Sequence, residues 1–313
     1  MIAFDLEKYI SYVKDTLDSS IDDFYIEKDY FLSLFLSTWQ NLRVKGEINA
    51  LDELIFKGGT LLMRNHLDYP RLSEDLDFTH KNSDEIRTMS QNKRIDKIRY
   101  LIIPILEEIK KICDICGFDF NIDRSDTKYV TAYHHKAVYS LSMYKISKIT
   151  NLSVRIKMEI NFVEHLQYKT ILQTINPIVY HDAVLASLGY TLVPLQLACY
   201  SLKEIVLEKY RAILTRDNPM ERDMYDLYLI NKKKLDVFSF GDYEICKKIQ
   251  SGRLTSSRFK ENLRNNCEYL LRKGFFDPQD DITNLSLKPI DKEDYETFKK
   301  KLFKRLQDIC KNY

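Results

Sequence analysis

The chain has 313 residues, of which 44% are hydrophobic and 30% are charged, which is the composition of an ordinary globular protein with a sizeable core. The formal net charge of +2 excludes a strong overall positive field, although a local basic patch is compatible with that balance. No apolar run is long enough to cross a bilayer, and the first residues lack a basic region followed by a hydrophobic stretch, so we expect a cytoplasmic protein with no membrane partner.

Helices are predicted for much of the first third of the chain. Apolar residues recur at helical spacing in residues 6–13 and 26–42. A short helix is predicted at 60–67, with Thr60 as its opening residue. Residues 84–116 carry a further apolar stripe, which predicts one or two longer helices.

The pattern changes to strands in the middle of the chain and then returns to helices. Residues 118–122, 137–144 and 154–162 alternate or run apolar as strands do. From Pro194 onward the pattern is helical almost to the end, in the ranges 195–214, 222–231, 242–250, 257–273 and 292–312. We therefore expect an α/β (α+β) fold, with a mixed sheet and flanking helices in residues 1–190 and a helical bundle in residues 191–313.

The first candidate site is the small-residue turn formed by Lys57, Gly58, Gly59 and Thr60, which follows the apolar pair Ile55–Phe56. Paired glycines let a backbone approach a ligand closely, and successive N–H groups in such a turn can bind an anion. The alternative is a plain turn without a ligand. Together with the acids that follow, however, this turn indicates a cradle for phosphates.

The second candidate feature is a pair of acids, Asp75 and Asp77, spaced two residues apart. In a strand both carboxylates point the same way, while Leu76 and Phe78 point to the buried side. Adjacent carboxylates repel each other unless a cation lies between them, and their oxygens suit Mg²⁺. A solvated strand end is the alternative reading of the acid pair.

Two polar residues just before the acids, Arg71 and Ser73, are placed to contact a triphosphate tail. For Arg71 a structural ion pair with Glu74 is the alternative. Further along, Lys157 and Glu159 share the polar face of the strand 154–162. These two residues serve either a ligand or their cross-strand neighbours.

The turn at residues 58–60, followed by Arg-x-Ser-x-Asp-Leu-Asp-Phe at 71–78, resembles the AbiEii-type nucleotidyltransferase toxins of abortive-infection systems. These belong to the polymerase-β-like nucleotidyltransferase superfamily. Residues 26–29, 204–212 and 222–227 resemble further segments of that family. We find no likeness, and no readable chemistry, after about residue 235. The resemblance implies a polymerase-β-like nucleotidyltransferase domain in residues 1–190, followed by the helical bundle domain.

This resemblance also implies a role for individual residues. Glu159 would complete a metal site with the two aspartates, binding Mg²⁺ or Mn²⁺, and Lys157 would contact the nucleotide. Lys209 lies near an apolar helix stripe, where an ammonium needs an anion or an acid, and the family implies a phosphate contact. A lysine that reaches out to solvent is the alternative. Asp226 would orient Lys209 or a substrate group. The implied catalytic residues are Asp75, Asp77, Glu159, Lys209 and Asp226.

The implied reaction is transfer of NMP from an NTP to an acceptor, for which the family suggests RNA such as the 3′ end of tRNA. The protein would be a toxin restrained by an antitoxin partner. Basic side chains in the C-terminal half would serve an RNA acceptor. The alternatives are a nucleotidyltransferase that modifies protein and a catalytically silent module that binds nucleotide or RNA.

Overall fold

A computed structural model describes residues 4–17, 21–178, 182–254, 258–278, 280–284 and 286–313. Residues 1–3 and residue 257, which entered the predictions above, lie outside these ranges. The α-helices are α1 (Leu6–Leu17), α2 (Asp23–Val44), α3 (Gly58–Leu61), α4 (Ser83–Thr88), α5 (Gln91–Cys116), α6 (Asp182–Ser187), α7 (Leu202–Thr215), α8 (Glu221–Lys233), α9 (Asp242–Ser251), α10 (Phe259–Lys273) and α11 (Lys292–Cys310). Among the helices described here, none combines the length and apolar character that crossing a bilayer requires.

Within the described ranges seven strands form one mixed sheet, and their order across it is β3-β4-β5-β2-β1-β7-β6. The strands are β1 (Leu54–Lys57), β2 (Asp75–His80), β3 (Val130–Tyr133), β4 (Val138–Ile146), β5 (Ser153–Asn161), β6 (Ile171–Ile175) and β7 (Leu195–Cys199). Strand β2 is parallel to β5 and antiparallel to β1, which is parallel to β7. The centre of the sheet is thus built from strands that are far apart in sequence.

Alternation of side chains gives the sheet one apolar face. In β5 the side chains of Ile156, Met158 and Ile160 are fully buried, while those of Arg155, Lys157 and Glu159 are partly or wholly exposed. Phe78 of β2 packs on Phe56 of β1, with ring centroids 5.1 Å apart. Burial of such side chains contributes about 1.5–3 kcal/mol each, so this face fixes which way the polar residues between them point.

Helices cover the sheet and extend the core. Helix α2 packs on β5, β7 and α5, and its N-cap is Asp22, whose side chain accepts a hydrogen bond from the N–H of Phe24. Helix α5 ends at Gly117, which has the left-handed φ of +70° common at helix ends. Helix α7 contacts α8, α9 and α10, which forms a helical group in the C-terminal part of the chain.

The predicted mixed sheet with flanking helices is confirmed, but three local predictions are wrong. Residues 195–199 form a strand rather than a helix, and strand β6 was not predicted. Residues 118–122 form no strand, since Asp119 makes one isolated bridge to Tyr144. Strands therefore do not cease near residue 190. The division into domains at that position stays a prediction, and the sheet itself continues past it to Cys199.

Candidate active site

Strand register brings the predicted acids of two segments together. Asp77 of β2 lies opposite Glu159 of β5, and Asp75 lies opposite Lys157. Lys57, the last residue of β1, lies on the other side of Asp77. Residues paired in register share a sheet face, so these side chains form one polar row across three strands.

The surroundings of Asp77 disfavour the charged form of its carboxyl group. Burial and the neighbouring Glu159 raise the pKa of Asp77 to about 7, and Asp75 acts in the same direction. Lys57 and Lys157 oppose this rise without cancelling it. The Lys157 ammonium lies 3.5 Å from the Glu159 carboxylate, which is a pair along one strand, whereas the non-ligand interpretation expected pairs with cross-strand neighbours. A divalent cation would relieve the repulsion that remains.

The donor set fits a divalent cation in part. Asp77 lines a small cavity of about 170 Å³ together with Glu159, and it also lines the neighbouring cavity together with Asp75. In the described ranges no three Asp, Glu, His or Cys side chains converge as a ready-made metal site. Mg²⁺ commonly takes one or two carboxylates together with water and substrate phosphates, which the Asp77–Glu159 pair satisfies. The site with three acidic ligands stays a prediction.

The glycines of the turn make room for the side chains of the site. Gly58 has a φ of +80°, and a Cβ atom there would lie 2.3 Å from Oδ2 of Asp77. A Cβ on Gly59 would lie 2.7 Å from Oγ of Ser73. Both distances are shorter than any tolerated contact, so the acid and the serine can sit against the backbone only because these residues are glycines.

Thr60 has a structural position that differs from the predicted one. The helix begins at Gly58, two residues earlier than expected, and Thr60 lies buried inside it. Its Oγ1 donates a hydrogen bond to the carbonyl oxygen of Asp75 at 2.6 Å, and it lies 3.1 Å from Oγ of Ser73. Thr60 therefore ties the turn to the start of β2, which fixes the glycines relative to the acids.

A cluster of buried ions forms the wall beside Asp75. The guanidinium of Arg71 donates two hydrogen bonds of 2.7 Å to Asp226, and a third to the carbonyl oxygen of Leu72. Lys209 contacts Asp226 at 2.6 Å and Asp223 at 2.8 Å. The alternative prediction, an ion pair between Arg71 and Glu74, is wrong, because Glu74 pairs with Lys28.

The acids of this cluster stay ionised despite their burial. Burial opposes the charge on Asp223, but Lys209 and Arg216 outweigh it and lower its pKa to about 2. In the same way Arg71 and Lys209 outweigh burial and lower the pKa of Asp226. Arg216 lies 2.8 Å from Asp223. Asp226 thus contacts Lys209 directly, and its orienting role stays a prediction.

A second ion cluster, which sequence patterns did not reveal as a unit, lies beneath Lys57. The Lys57 ammonium lies 3.3 Å from Glu164 and 3.4 Å from Glu208, so it points into this cluster rather than toward the glycine turn. Lys248 of α9 is fully buried and contacts Glu164 at 3.1 Å and Glu204 at 2.7 Å. Burial opposes the charge on Glu164, but Arg211, Lys248 and Lys57 hold its pKa well below the ordinary range. The one signal for Lys248 in the sequence was its place on the apolar side of α9, between Ile245 and Ile249.

Three cavities meet at the carboxylate pair. A cavity of about 330 Å³, the donor-side cavity, lies on the Asp75 side and is lined by cations that include Lys209 and Arg222. A cleft of about 690 Å³, the Glu159-side cleft, lies on the opposite side. The small cavity that holds Asp77 joins them, and Arg216 lines all three.

A mixed sheet that presents paired carboxylates beside a glycine turn, next to a cation-lined cavity, is the arrangement of a nucleotidyltransferase. The family model described as "Nucleotidyl transferase AbiEii toxin, Type IV TA system" matches residues 47–310, which is most of the chain. This chain therefore belongs to the AbiEii family of nucleotidyltransferase toxins. The match also shows that the family likeness extends far beyond residue 235, where we expected it to end.

The fold is similar to that of a solved nucleotidyltransferase toxin. MenT4, a nucleotidyltransferase toxin from Mycobacterium tuberculosis H37Rv, is 18% identical with a TM-score of 0.55, and the alignment covers 96% of this chain and 89% of MenT4. JHP933 from Helicobacter pylori is 13% identical with a TM-score of 0.45, with 94% of each chain covered. The comparison with curated proteins gave no match.

Proposed function

We propose that this nucleotidyltransferase uses Mg²⁺, or Mn²⁺ in its place, to transfer NMP from an NTP to RNA such as the 3′ end of tRNA. In this proposal the transfer makes the protein toxic in the cytoplasm, and an antitoxin restrains it. The observation that carries the proposal is the pairing of Asp77 with Glu159 in register on adjacent strands, against the Gly58 turn. Carboxylates placed in this way are suited to hold a divalent cation at a reacting phosphate.

The donor-side cavity suits the triphosphate of the NTP. Its lining includes Lys209, Arg216 and Arg222, and it opens beside Gly59 and Ser73. Cations on this wall would offset the charge of the phosphates, as in other phosphoryl-transfer sites.

Two residues that were predicted to contact the nucleotide, Arg71 and Lys57, are proposed to act through their charge instead. Arg71 lines the donor-side cavity, but its guanidinium already donates to Asp226 and Leu72, so we propose that it contributes charge rather than a direct phosphate bond. Lys57 points into its own buried cluster, so its proposed role is to balance the charge of Asp77 from the side.

The proposed reaction joins a hydroxyl oxygen of the acceptor to the α-phosphorus of the NTP. The bond from the α-phosphorus to the oxygen bridging it to the β-phosphate breaks, and pyrophosphate leaves. Glu159 takes the proton of the attacking hydroxyl, while Asp77 and Glu159 would hold the cation and Lys209 would face the triphosphate. When bound, the divalent cation would neutralise charge on the α-phosphate and the leaving group.

The experiment that tests this proposal offers each of the four labelled NTPs to the protein with total tRNA or with cell-extract protein. We expect label in RNA when Mg²⁺ is present and none with a chelator. Asp77→Asn should abolish the transfer, and Asp96→Asn, which changes an exposed acid paired with Arg99 on α5, should leave it unchanged. Label in protein instead of RNA would favour the protein-modifying alternative. NTP binding without any transfer would favour the silent binding module.

Toxicity provides an independent check of the biological part of the proposal. Expression of the wild-type chain without its antitoxin should stop growth, and Asp77→Asn should restore it. Toxicity that persists in this variant at equal expression would mean that the protein harms cells by some means other than nucleotide transfer.

A further inference from the structure

We infer that the Glu159-side cleft is the acceptor subsite, and that Tyr133 there stacks on the last base of a single-stranded RNA 3′ end. This inference rests on the proposed function and adds to it the place, the strand state and a recognition residue for the acceptor. Tyr133 lies at the end of β3, next to the turn that leads into β4.

The position of the cleft follows from the geometry of the reaction. In nucleotidyl transfer the attacking and leaving oxygens lie roughly in line on opposite sides of the phosphorus. The cations that suit a triphosphate line the donor-side cavity, so pyrophosphate leaves on the Asp75 side. The attacking hydroxyl must then enter from the other side of the Asp77–Glu159 pair, where the Glu159-side cleft opens.

The lining of the cleft suits the end of a nucleic-acid strand. Arg211, Arg216 and Arg258 provide cations, and Tyr133 and His134 provide aromatic rings at one wall. Tyr133 is 47% exposed, so its ring is available to a base. Burial lowers the pKa of His134, although Glu159 opposes this shift. Proteins commonly bind single strands with aromatic side chains, on which bases stack, and with cations that contact the backbone. In a duplex the bases are already stacked on each other, so they offer no free face to Tyr133.

The backbone that presents these rings is strained. His134, His135 and Lys136 have φ values of +53°, +55° and +66°, a left-handed conformation that residues other than glycine seldom adopt. The turn is closed by a hydrogen bond of 3.2 Å from the N–H of Ala137 to the carbonyl oxygen of His134. Strain of this kind persists where a particular side-chain placement is needed, and here it places His134 at the wall of the cleft.

The group transfer in this arrangement is balanced. The terminal ribose hydroxyl gives its proton to Glu159, its oxygen bonds to the α-phosphorus, and pyrophosphate leaves through the donor-side cavity. The base on that ribose stacks on Tyr133, and the backbone phosphate before it lies against Arg258.

The test measures RNA binding without NTP, so that no transfer is needed for the readout. The probe is a fluorescent single-stranded oligoribonucleotide of mixed sequence with a free 3′ end, in Mg²⁺, and the comparison probe is its blunt duplex. We expect Tyr133→Ala to weaken binding of the single strand about tenfold and Tyr133→Phe to change it by less than about twofold, since the ring carries the stacking. Tyr100→Ala, at a tyrosine that is 74% exposed on α5, is the matched control and should bind like wild type. NTP affinity should be unchanged in Tyr133→Ala.

The outcomes separate this inference from the proposed function. If wild type labels RNA but Tyr133→Ala binds the single strand as well as wild type does, the cleft assignment is overturned while the function stands. If no NTP labels any acceptor but Tyr133→Ala still binds about tenfold more weakly, the cleft assignment stands and the function falls. Equal affinity for strand and duplex, equal loss in Tyr100→Ala, or label in protein with no binding of the oligoribonucleotide would also overturn the assignment.

Discussion

The replacement Asp77→Asn should stabilise the protein while it removes the proposed activity. An acid whose pKa is raised by folding does not lower the free energy of unfolding at low pH, because it is protonated in both the folded and the unfolded state. As pH rises through the unfolded value of 3.8 the unfolded chain ionises first, so stability falls until the folded value of about 7 is passed. Above that pH the ionised Asp77 destabilises the folded state by the full amount, and an asparagine at this position, which carries no charge, removes that destabilisation.

The size of the effect follows from the shift in pKa. The pKa of Asp77 rises from 3.8 to about 7, which is about three units, and each unit is worth about 1.4 kcal/mol. The ceiling is therefore about 4 kcal/mol. Because Asp77 is only half-buried and titrates together with Glu159, we expect a gain of about 2–3 kcal/mol in the free energy of unfolding above neutral pH.

The assay is denaturant unfolding in a chelating buffer at about pH 8 and again at about pH 4, where most of the difference between variant and wild type should be gone. Asp96→Asn is the control, because an exposed pair of this kind contributes less than about 1 kcal/mol. Adding Mg²⁺ should then stabilise wild type and leave Asp77→Asn unchanged, since a ligand stabilises only the state that binds it.

Two results would refute this reasoning. One is an Asp77→Asn variant that is no more stable than wild type at about pH 8 without divalent cations. The other is a gain in stability from Mg²⁺ that is equal in both proteins, which would place the cation elsewhere.

Three further predictions concern the turn and the ion clusters, and unfolding measurements check all of them. Gly58→Ala should lower the free energy of unfolding by at least about 2 kcal/mol more than Gly46→Ala does, because both glycines have a positive φ but only a methyl group at position 58 would overlap Asp77. Equal losses in the two variants would contradict the clash. Lys248→Met should cost about 3–5 kcal/mol because it leaves buried carboxylates short of a cation, and a wild-type midpoint would show that this cluster is dispensable. Asp223→Asn should lower the free energy of unfolding by about 2 kcal/mol at neutral pH, since the pKa of Asp223 is lowered from 3.8 to about 2. This loss of stability should disappear as the pH falls from 3.8 to about 2. A loss that is the same at neutral pH and at about pH 2 would rule out an ionic origin.

The sequence predicted which way the site residues face, but not which residues they pair with. The spacing of Asp75 and Asp77 and the alternation in residues 154–162 each identify a polar strand face. Alternation says nothing about the neighbouring strand or its register. The pairing of Asp77 with Glu159 therefore rested on the family resemblance until the structure placed them opposite each other.

Strand β7 shows where local patterns mislead. Its five residues are followed closely by the apolar stripe of α7, and a short apolar run next to a helix has no period that separates strand from helix. What makes residues 195–199 a strand is the place between β1 and β6, where Phe56 lies opposite Cys199 and Ile175 opposite Leu195. Such partners lie more than a hundred residues away or in a strand that was itself not predicted.

The buried ion clusters are hidden from sequence for the same reason. In the sequence Lys248 is a single lysine on a helix and Glu164 a single acid in a loop, and only the fold brings Glu164 and Glu204 to the Lys248 ammonium. The cost of burying a charge is offset only by partners that tertiary structure supplies. The glycine turn could be predicted because its constraint is local, whereas its second function, to make room for Asp77, could not.

The central claim is that Asp77 and Glu159 together hold the cation at which NMP is transferred. The most direct test is the rate of pyrophosphate release from the preferred NTP, at saturating Mg²⁺ with total tRNA, in wild type, Asp77→Asn and Glu159→Gln. Each variant should lose on the order of 10³-fold in rate while it remains folded. A wild-type rate in either variant would contradict the claim.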